Sequence, residues 1–374
     1  MSNNSSQINS VTGERIGVSS APRKKSEKKK GAFRFGVAGY DIWPHAINFC
    51  QVLEDVDFLD ITAVYDEHPR HLERLVELTG AKGYTNLEEF CNSDIQGAVI
   101  TDRTSQRCAI AKALAAAGKH VLSDKPMSMS AAEGREMIQA CKNAGVLLMG
   151  GFNLRLWYTW KLVKRVLDSG ELGKPFHLYC AYNTDLIRRS EWENTFHSVW
   201  TDPAVTPGGG WLTHGDHAID LTRWLFGVDF VEVLADMRTL RYPEFKLEDY
   251  GVAHYMLSDG STALIASDAI SDQIRLDVII ACQRGGISYA LTPEPKLKIW
   301  GAPVLLGANV VEYSVPENWV DALRELSREF VNAIETGAKP PVTAEDNCRV
   351  MEVIDATYQS ARESRKVTIR QHPV

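Results

Sequence analysis

The chain has 374 residues, of which 44% are hydrophobic and 24% are charged, a balance that is ordinary for folded globular proteins. The length is enough for two domains with separate cores. The net charge of −7 argues against a nucleic-acid-binding surface on the folded part, and we expect no membrane span and no signal peptide because long apolar runs are missing.

The seven cysteines include no Cys-x-x-Cys pair. In a chain of this length, that pattern favours reduced thiols over a disulfide framework. We therefore predict a cytoplasmic protein.

Residues 1–31 differ in composition from the rest of the chain. They are rich in Ser, Asn, Lys and Arg and poor in large apolar residues, so we predict a disordered basic tail. A solvated tail is the favoured interpretation of the lysine and arginine clusters at 23–25 and 28–30, and contact with an acidic surface is the alternative.

Between residues 32 and 150, short apolar runs alternate with runs that have helical spacing. Gly80, Gly118 and Gly145 follow three of the helical runs, as is typical at helix ends, and Ser130 with Glu133 predicts a capping box. We predict an α/β, Rossmann-like domain with a doubly wound parallel sheet. Its predicted strands are Phe33–Ala38, Leu59–Tyr65, Gly97–Thr101, His120–Ser123 and Val146–Met149.

From residue 151 to 374 the pattern changes, because strands follow one another without helices between them. Asp259-Gly260 between two alternating runs predicts a hairpin. We predict an α+β domain for substrate binding and oligomerisation, with a large, open, mostly antiparallel sheet. Two helices close the chain, at Trp319–Thr336 and behind Thr343.

Ligands of doubly wound sheets bind beyond the carboxyl ends of the strands. Asp66, after the second strand, suits the ribose hydroxyls of NAD and would repel the 2′-phosphate of NADP, so NAD is the expected cofactor and NADP remains possible. A helix N-cap is the alternative role of this side chain. The predicted cofactor-binding residues are Gly39, Tyr40, Asp41, Asp66, Thr101, Arg103, Asp124 and Lys125.

The glycine fingerprint of the first turn is degraded. The sequence from Gly39 to Pro44 keeps only the first glycine of G-x-G-x-x-G, and Asp41 places a carboxylate where a backbone normally approaches the pyrophosphate. The glycines alone therefore leave cofactor binding open.

A glycine run followed by ionisable residues is the strongest local signal, from Gly208 to Asp220. We predict a loop leading into a helix whose first turn carries His217, a side chain that can exchange a proton near neutral pH. The segment from His214 to His217 has part of a zinc-motif spacing, but Leu212 stands where a histidine ligand is needed, so no metal is predicted.

Several segments, in order from about residue 33 to 370, resemble the glucose–fructose oxidoreductase, inositol dehydrogenase and rhizopine catabolism family of NAD(P)-dependent oxidoreductases. The segments are AGKHVLSDKPMSMSAAEG, GGFNLRLWYTWKLVKRVLDSGELGKPFHL, GGGWLTHGDHAIDLTRWLFG, YMLSDGSTALIAS and PVTAEDNCRVMEVIDATYQSARESRKVTI.

The resemblance implies hydride transfer between nicotinamide and a carbon-bound hydroxyl of a sugar, polyol or sugar-derived acid. Lys125 would hydrogen-bond the nicotinamide ribose and the reacting oxygen, and His217 would be the general base. It also implies a homodimer or homotetramer that pairs through the open sheet. The implied substrate-binding residues are Lys125, Asn153, Arg155, Thr213, His214 and His217, with an interdomain salt bridge as the alternative for Arg155.

The chain departs from the family pattern at several positions. Asp124 replaces a glutamate, and Thr213 stands where the family has an aspartate. We expect Asp216 and His214 to point elsewhere on the helix and not to compensate. Asp102 and Arg103 replace the Thr-Pro that is common after the third strand. Two alternatives stay open: a redox-neutral NAD-dependent enzyme that cleaves or epimerises a sugar, and a non-catalytic module that binds a nucleotide or sugar.

Overall fold

The computed structural model describes residues 28–40, 43–184, 201–315 and 319–373. Asp41, one of the predicted cofactor-binding residues, lies outside the described residues, as does the predicted tail up to residue 27.

The described part of the first half forms a six-stranded parallel sheet in the order β3-β2-β1-β4-β5-β6, which is a strand order of dinucleotide-binding folds. The predicted α/β class is confirmed. The strands are β1 (Phe33–Ala38), β2 (Leu59–Tyr65), β3 (Lys82–Tyr84), β4 (Gly97–Ile100), β5 (His120–Ser123) and β6 (Leu148–Gly150). The helices are α1 (Trp43–Glu54), α2 (Pro69–Thr79), α3 (Leu87–Cys91), α4 (Thr104–Ala116) and α5 (Ala131–Ala144).

Helix ends in this half follow the predicted signals. Gly80 and Gly145 end α2 and α5 in the left-handed conformation, with φ of 63° and 68°. The Ser130 side chain accepts a hydrogen bond from the Glu133 N–H at 3.3 Å, and the Glu133 carboxylate accepts one from the Met129 N–H at 3.0 Å. These caps fix where α2 ends and where α5 begins and ends.

The described part of the second half forms a nine-stranded sheet in the order β14-β13-β12-β11-β7-β10-β9-β8-β15. Strands β7 and β10 are parallel, and every other neighbouring pair is antiparallel, as predicted for this sheet. The strands are β7 (Pro175–Asn183), β8 (Phe230–Arg238), β9 (Tyr250–Leu257), β10 (Thr262–Asp268), β11 (Arg275–Cys282), β12 (Gly285–Ala290), β13 (Lys296–Trp300), β14 (Val310–Ser314) and β15 (Val367–Thr368).

Helices lie around this sheet and connect it to the first. They are a 3-10 turn (Asn153–Leu156), α6 (Tyr158–Asp168), α7 (Leu212–Phe226), α8 (Pro303–Leu306), α9 (Trp319–Thr336) and α10 (Ala344–Glu363). Helix α7 packs on β7 and β10, while α10 packs on β8 and also on α5. Helix α9 packs on α1. The contacts of α10 with α5 and of α9 with α1 therefore join the two halves of the chain. The domain bounds 32–150 and 151–374 stay a prediction.

The start of α7 corrects the sequence analysis. The helix begins at Leu212, so His217 lies in its second turn and not in its first. Gly215 lies inside the helix against the Trp211 indole, where an added Cβ would come within 2.9 Å of ring carbons. Close packing on a large side chain, and not a turn, accounts for this glycine.

Of the helices in the described ranges, none combines the length and the hydropathy that crossing a membrane requires.

Candidate active site

Lys125 connects the first sheet to α7. It follows β5 and is buried, and its ammonium donates a hydrogen bond to the main-chain oxygen of Thr213 in the first turn of α7. The same nitrogen lies 3.8 Å from Oδ1 of Asp216. A buried ammonium at the carboxyl end of a parallel sheet therefore faces the helix that carries His217.

His217 is fully buried beside aromatic rings. The centroid of its imidazole lies 5.7 Å from that of Phe152, 6.3 Å from that of Tyr182 and 6.2 Å from that of His214. Burial, and after it the charge of Lys125, lowers the pKa of His217 well below its ordinary value. The imidazole is consequently neutral near pH 7 and able to accept a proton.

Asp216 points into this site, which corrects the expectation that it would point elsewhere. Residues three and four apart share a helix face, so Thr213, Asp216 and His217 lie together once the helix begins at Leu212. Oδ1 of Asp216 accepts a hydrogen bond from the His217 N–H at 2.7 Å. Burial raises the pKa of Asp216 to about 7, although the charge of Lys125 opposes the rise.

The other two polar residues at the start of α7 have different surroundings. The Thr213 hydroxyl donates to the main-chain oxygen of Gly209 at 3.0 Å. The ring of His214 lies 4.0 Å from that of Tyr182, centroid to centroid. Tyr182 is a part of this site that the sequence analysis missed, because only the pairing of β7 with β10 brings it under α7.

A second buried cluster supports the turn that carries Lys125. Oδ2 of Asp124 lies 2.6 Å from Nδ1 of His45 and 3.5 Å from the Arg107 guanidinium, which also donates to the Pro126 oxygen at 2.6 Å. Burial would raise the pKa of Asp124, but His45 and then Arg107 outweigh it and lower the pKa to about 2. His45 was not predicted, since only its place in the first turn of α1 hints at the site.

The predicted cofactor edge is assembled around Asp66. Its carboxylate accepts hydrogen bonds from the N–H of Tyr40 at 2.9 Å and of His68 at 2.8 Å. His68, and not Asp66, is the N-cap residue of α2. Each carboxylate oxygen still has a lone pair for a further donor. The aspartate thus ties the turn after β1 to the end of β2.

Three more of the predicted cofactor-binding residues shape this edge. The Thr101 hydroxyl donates to the Gly39 oxygen at 2.6 Å. Gly39 has a φ of 93°, and a Cβ there would collide with Asp102, so only glycine fits. Arg103 is paired with Glu67, which places a second carboxylate beside Asp66.

The glycine run before α7 packs against protein. A Cβ at Gly208 would collide with the Tyr358 hydroxyl, and one at Gly210 would come within 2.6 Å of the Asp249 oxygen. Glu248 accepts hydrogen bonds from the Gly209 N–H at 2.8 Å and from the Tyr358 hydroxyl at 2.7 Å. The glycine run therefore lies against the loop before β9 and against α10.

Arg155 and Asn153, both predicted to bind substrate, have contrasting surroundings. The Arg155 guanidinium donates to both oxygens of Asp220, at 2.8 and 2.6 Å, and to Asp346 at 3.0 Å. Asn153 is fully buried next to Phe152, and neither end of its amide has a hydrogen-bond partner among the described residues. Asn153 therefore has unused polar atoms next in sequence to Phe152, whose ring contacts His217, whereas the guanidinium of Arg155 is engaged by two carboxylates.

The arrangement fits a nicotinamide dinucleotide better than a metal. A ribose and a polar reacting group require polar contacts of the kind found here. They are a glycine edge with a buried acceptor at Asp66, a buried cation at Lys125, and the amide of Asn153, which has no partner among the described residues. In the described ranges, no group of three or more His, Cys, Asp or Glu side chains is arranged to hold a metal ion.

Comparison with known proteins agrees with this geometry. Residues 33–152 match the oxidoreductase family with the NAD-binding Rossmann fold, GFO/IDH/MocA, and residues 160–288 match the C-terminal domain of the same family. The chain belongs to the GFO/IDH/MocA family. It is an NAD(P)-dependent oxidoreductase, and the resemblance inferred from its segments is confirmed.

Relatives and solved structures cover nearly the whole chain. Scyllo-inositol 2-dehydrogenase (NADP(+)) IolW of Bacillus subtilis is 24% identical over 92% of this chain and 98% of its own length. Myo-inositol 2-dehydrogenase of Thermotoga maritima is 25% identical over 85% of this chain and 94% of its own. A levoglucosan dehydrogenase structure in complex with NADH has a TM-score of 0.79 at 17% identity, covering 91% of this chain and 100% of that one.

Proposed function

We propose that this enzyme oxidises a carbon-bound hydroxyl of a sugar, polyol or sugar-derived acid, or reduces the corresponding carbonyl. One observation carries the proposal. The buried ammonium of Lys125, at the end of β5 in the first sheet, faces α7 on the second sheet, the helix that carries the buried and neutral His217. Relatives named as inositol and D-apiose dehydrogenases support this substrate class.

In this proposal the cofactor lies along the edge formed by Gly39, Tyr40, Asp66, Thr101 and Arg103. When bound, NAD or NADP supplies the hydride acceptor or donor. Asp66 accepts from a ribose hydroxyl with the lone pairs that its two backbone donors leave. Asp66 and the nearby Glu67 repel a 2′-phosphate, so NAD is preferred.

Lys125 and His217 act on the reacting hydroxyl. One N–H of the Lys125 ammonium is used by the Thr213 oxygen, and another is available to stabilise the oxygen as it loses its proton. The His217 imidazole accepts that proton, and its lowered pKa keeps it ready to do so near neutral pH. Phe152 and Tyr182 hold the ring in place from two sides.

Asn153 and His214 complete the substrate contacts. The unpartnered amide of Asn153 offers both a donor and an acceptor, which suits a hydroxyl beside the reacting one. For Arg155 we favour the salt-bridge alternative, because its donors are used by Asp220, Asp346 and the Pro341 oxygen. It holds α7 and α10 together below the site.

The proposal includes a cytoplasmic homodimer or homotetramer. All seven cysteines are free thiols, which suits a reducing compartment. On the open face of the second sheet, Leu234, His254, Leu264, Tyr179 and Ile279 pair in one row across five strands. Leu234 and Ile279 are about half exposed, at 45% and 47%, so a partner would bury them. Light scattering of wild type and Ile279→Lys tests this, and a monomeric wild type would contradict it.

The experiment that tests the function is a fluorescence titration with NADH and NADPH, followed by a screen of polyols and sugars at 340 nm. We expect tighter binding of NADH than of NADPH, and reduction of NAD by at least one polyol or sugar. Binding without turnover, with cofactor retained through gel filtration, would point to the redox-neutral alternative. No binding of either cofactor would contradict the proposal.

A further inference from the structure

Lys125 needs a negative partner because its ammonium is buried away from water. Two carboxylates lie near it, Asp124 and Asp216. Asp124 lies 2.6 Å from His45 and 3.5 Å from Arg107, and these two cations lower its pKa more than Lys125 does. That leaves Asp216, whose Oδ1 lies 3.8 Å from the lysine nitrogen.

Asp216 is not explained by a structural role. It is fully buried, and Oδ2 has no hydrogen-bond partner within the described ranges. Its one hydrogen bond is to the N–H of the next residue, His217, which helix formation does not require. A buried carboxylate with an unsatisfied oxygen is costly, so it is retained for something other than stability.

The position of Asp216 on α7 also matters. Thr213 stands where the family has an aspartate, and its hydroxyl is turned to the Gly209 oxygen, away from any ionic role. Asp216 is three residues further along the same helix face. A carboxylate less than one turn beyond Thr213 therefore reaches the lysine.

We propose that Asp216 is the positioning residue that holds the Lys125 ammonium against the reacting hydroxyl, replacing the carboxylate that Thr213 lacks. The inference rests on the proposed function of this site. The three N–H groups of Lys125 are then divided among the Thr213 oxygen, the Asp216 side and the substrate oxygen. The substrate proton passes to His217, and Asp216 acts in its ionised form.

The role requires an ionised Asp216, which gives it a pH signature. Burial raises its pKa to about 7, so activity should fall as the pH drops through that value. The titratable and charged side chains that influence Asp216 from its own helix and from the elements around it are Lys125, Asp124, Asp220, Arg107 and Tyr182. The main-chain N–H of His217 also lowers its pKa.

The first test is kinetic. We expect Asp216→Asn to lower kcat about 100-fold with little change in NADH affinity, and to lose the acidic limb of the kcat/KM profile near pH 7. Adding Thr213→Asp to that variant should recover activity to within about tenfold of wild type, because the carboxylate returns to the same face. Asp168→Asn, an exposed change on α6, is the matched control.

Either of two kinetic results would overturn the inference. One is wild-type activity in Asp216→Asn. The other is a loss that leaves the acidic limb unchanged and that Thr213→Asp does not recover, since a structural defect behaves in that way.

The second test needs no turnover. The carboxyl carbon of Asp216 can be followed by ¹³C NMR in labelled enzyme, with Asp216→Asn to assign the signal. If Lys125 is its ionic partner, Lys125→Met should raise the titration midpoint of Asp216 by about 1–3 pH units. An unchanged midpoint would overturn the pairing, whereas a raised midpoint with no substrate turned over would refute only the proposed function.

Discussion

Lys125 donates a hydrogen bond to the main-chain oxygen of Thr213, a residue 88 positions further along the chain. The bond joins the carboxyl end of β5 to the first turn of α7, and so joins the sheet of the cofactor edge to the helix of His217. Catalysis at this contact therefore depends on residues from both halves of the chain.

Replacing His217 tests the assignment of the general base. His217→Asn keeps a polar side chain but cannot accept the proton, so kcat should fall by ~10²–10⁴-fold. NADH binding should be unchanged, because the imidazole is not part of the cofactor edge. His372→Gln, a half-exposed histidine near the C-terminus, is the control. Near-wild-type turnover by His217→Asn would assign the base elsewhere.

Replacing Asp66 tests cofactor choice. Asp66→Asn removes the charge that repels a 2′-phosphate, and its single amide oxygen can still accept from one of the Tyr40 and His68 N–H groups, which bond to different oxygens of the carboxylate. The ratio of NADPH to NADH affinity should rise about tenfold, the equivalent of ~1.4 kcal/mol. Fluorescence titration measures both affinities, with the exposed change Asp94→Asn as control. An unchanged ratio would remove Asp66 from the ribose site.

Replacing Arg155 tests the salt-bridge interpretation. Arg155→Met leaves Asp220 buried without its cation, which should lower the free energy of unfolding by ~3–5 kcal/mol. Arg238→Met removes an exposed ion pair with Asp236 and should cost no more than ~1 kcal/mol. Urea denaturation compares the two. If Arg155→Met unfolds like wild type but has a raised KM, Arg155 contacts substrate instead.

Asp216 should also make stability depend on pH. Its folded-state pKa, about 7, lies above the unfolded value, so the native state binds more protons between about pH 4 and 7. Stability from this group is therefore present below pH 4 and is lost as the pH rises to 7. Asp216→Asn does not lose stability in this way as the pH rises. The unfolding free energy of the variant minus that of wild type should therefore rise across that window by a few kcal/mol, on the order of 1.4 per pH unit. A constant difference in urea denaturation across the window would contradict the raised pKa.

The sequence predicts the local elements of this fold well, for physical reasons that act within a few residues. Buried parallel strands are short apolar runs, and caps such as Ser130 and Gly145 mark helix ends. The three-residue strand β3 is too short to show a period and was not predicted. The helix α7 begins earlier than predicted, at Leu212, directly after the glycine run and Trp211.

The candidate site was predictable only where a motif marks it, as at Lys125 and His217. His45, Arg107 and Tyr182 come to the site from three other elements, and their spacing carries no common signal. The expectation that Asp216 points away from the site was wrong because Thr213 already lies inside α7, and residues three apart share a helix face. Which polar side chains meet is decided by how the two sheets close on each other, and single-sequence patterns do not contain that closure.

The measurement that tests the central claim most directly is turnover by Lys125→Met, measured as NADH formation at 340 nm on the best substrate of the wild type. The account predicts that this variant binds NADH but turns over at least ~10²–10³-fold more slowly, while the exposed change Lys142→Met behaves like wild type. Turnover by Lys125→Met within tenfold of wild type would contradict the account.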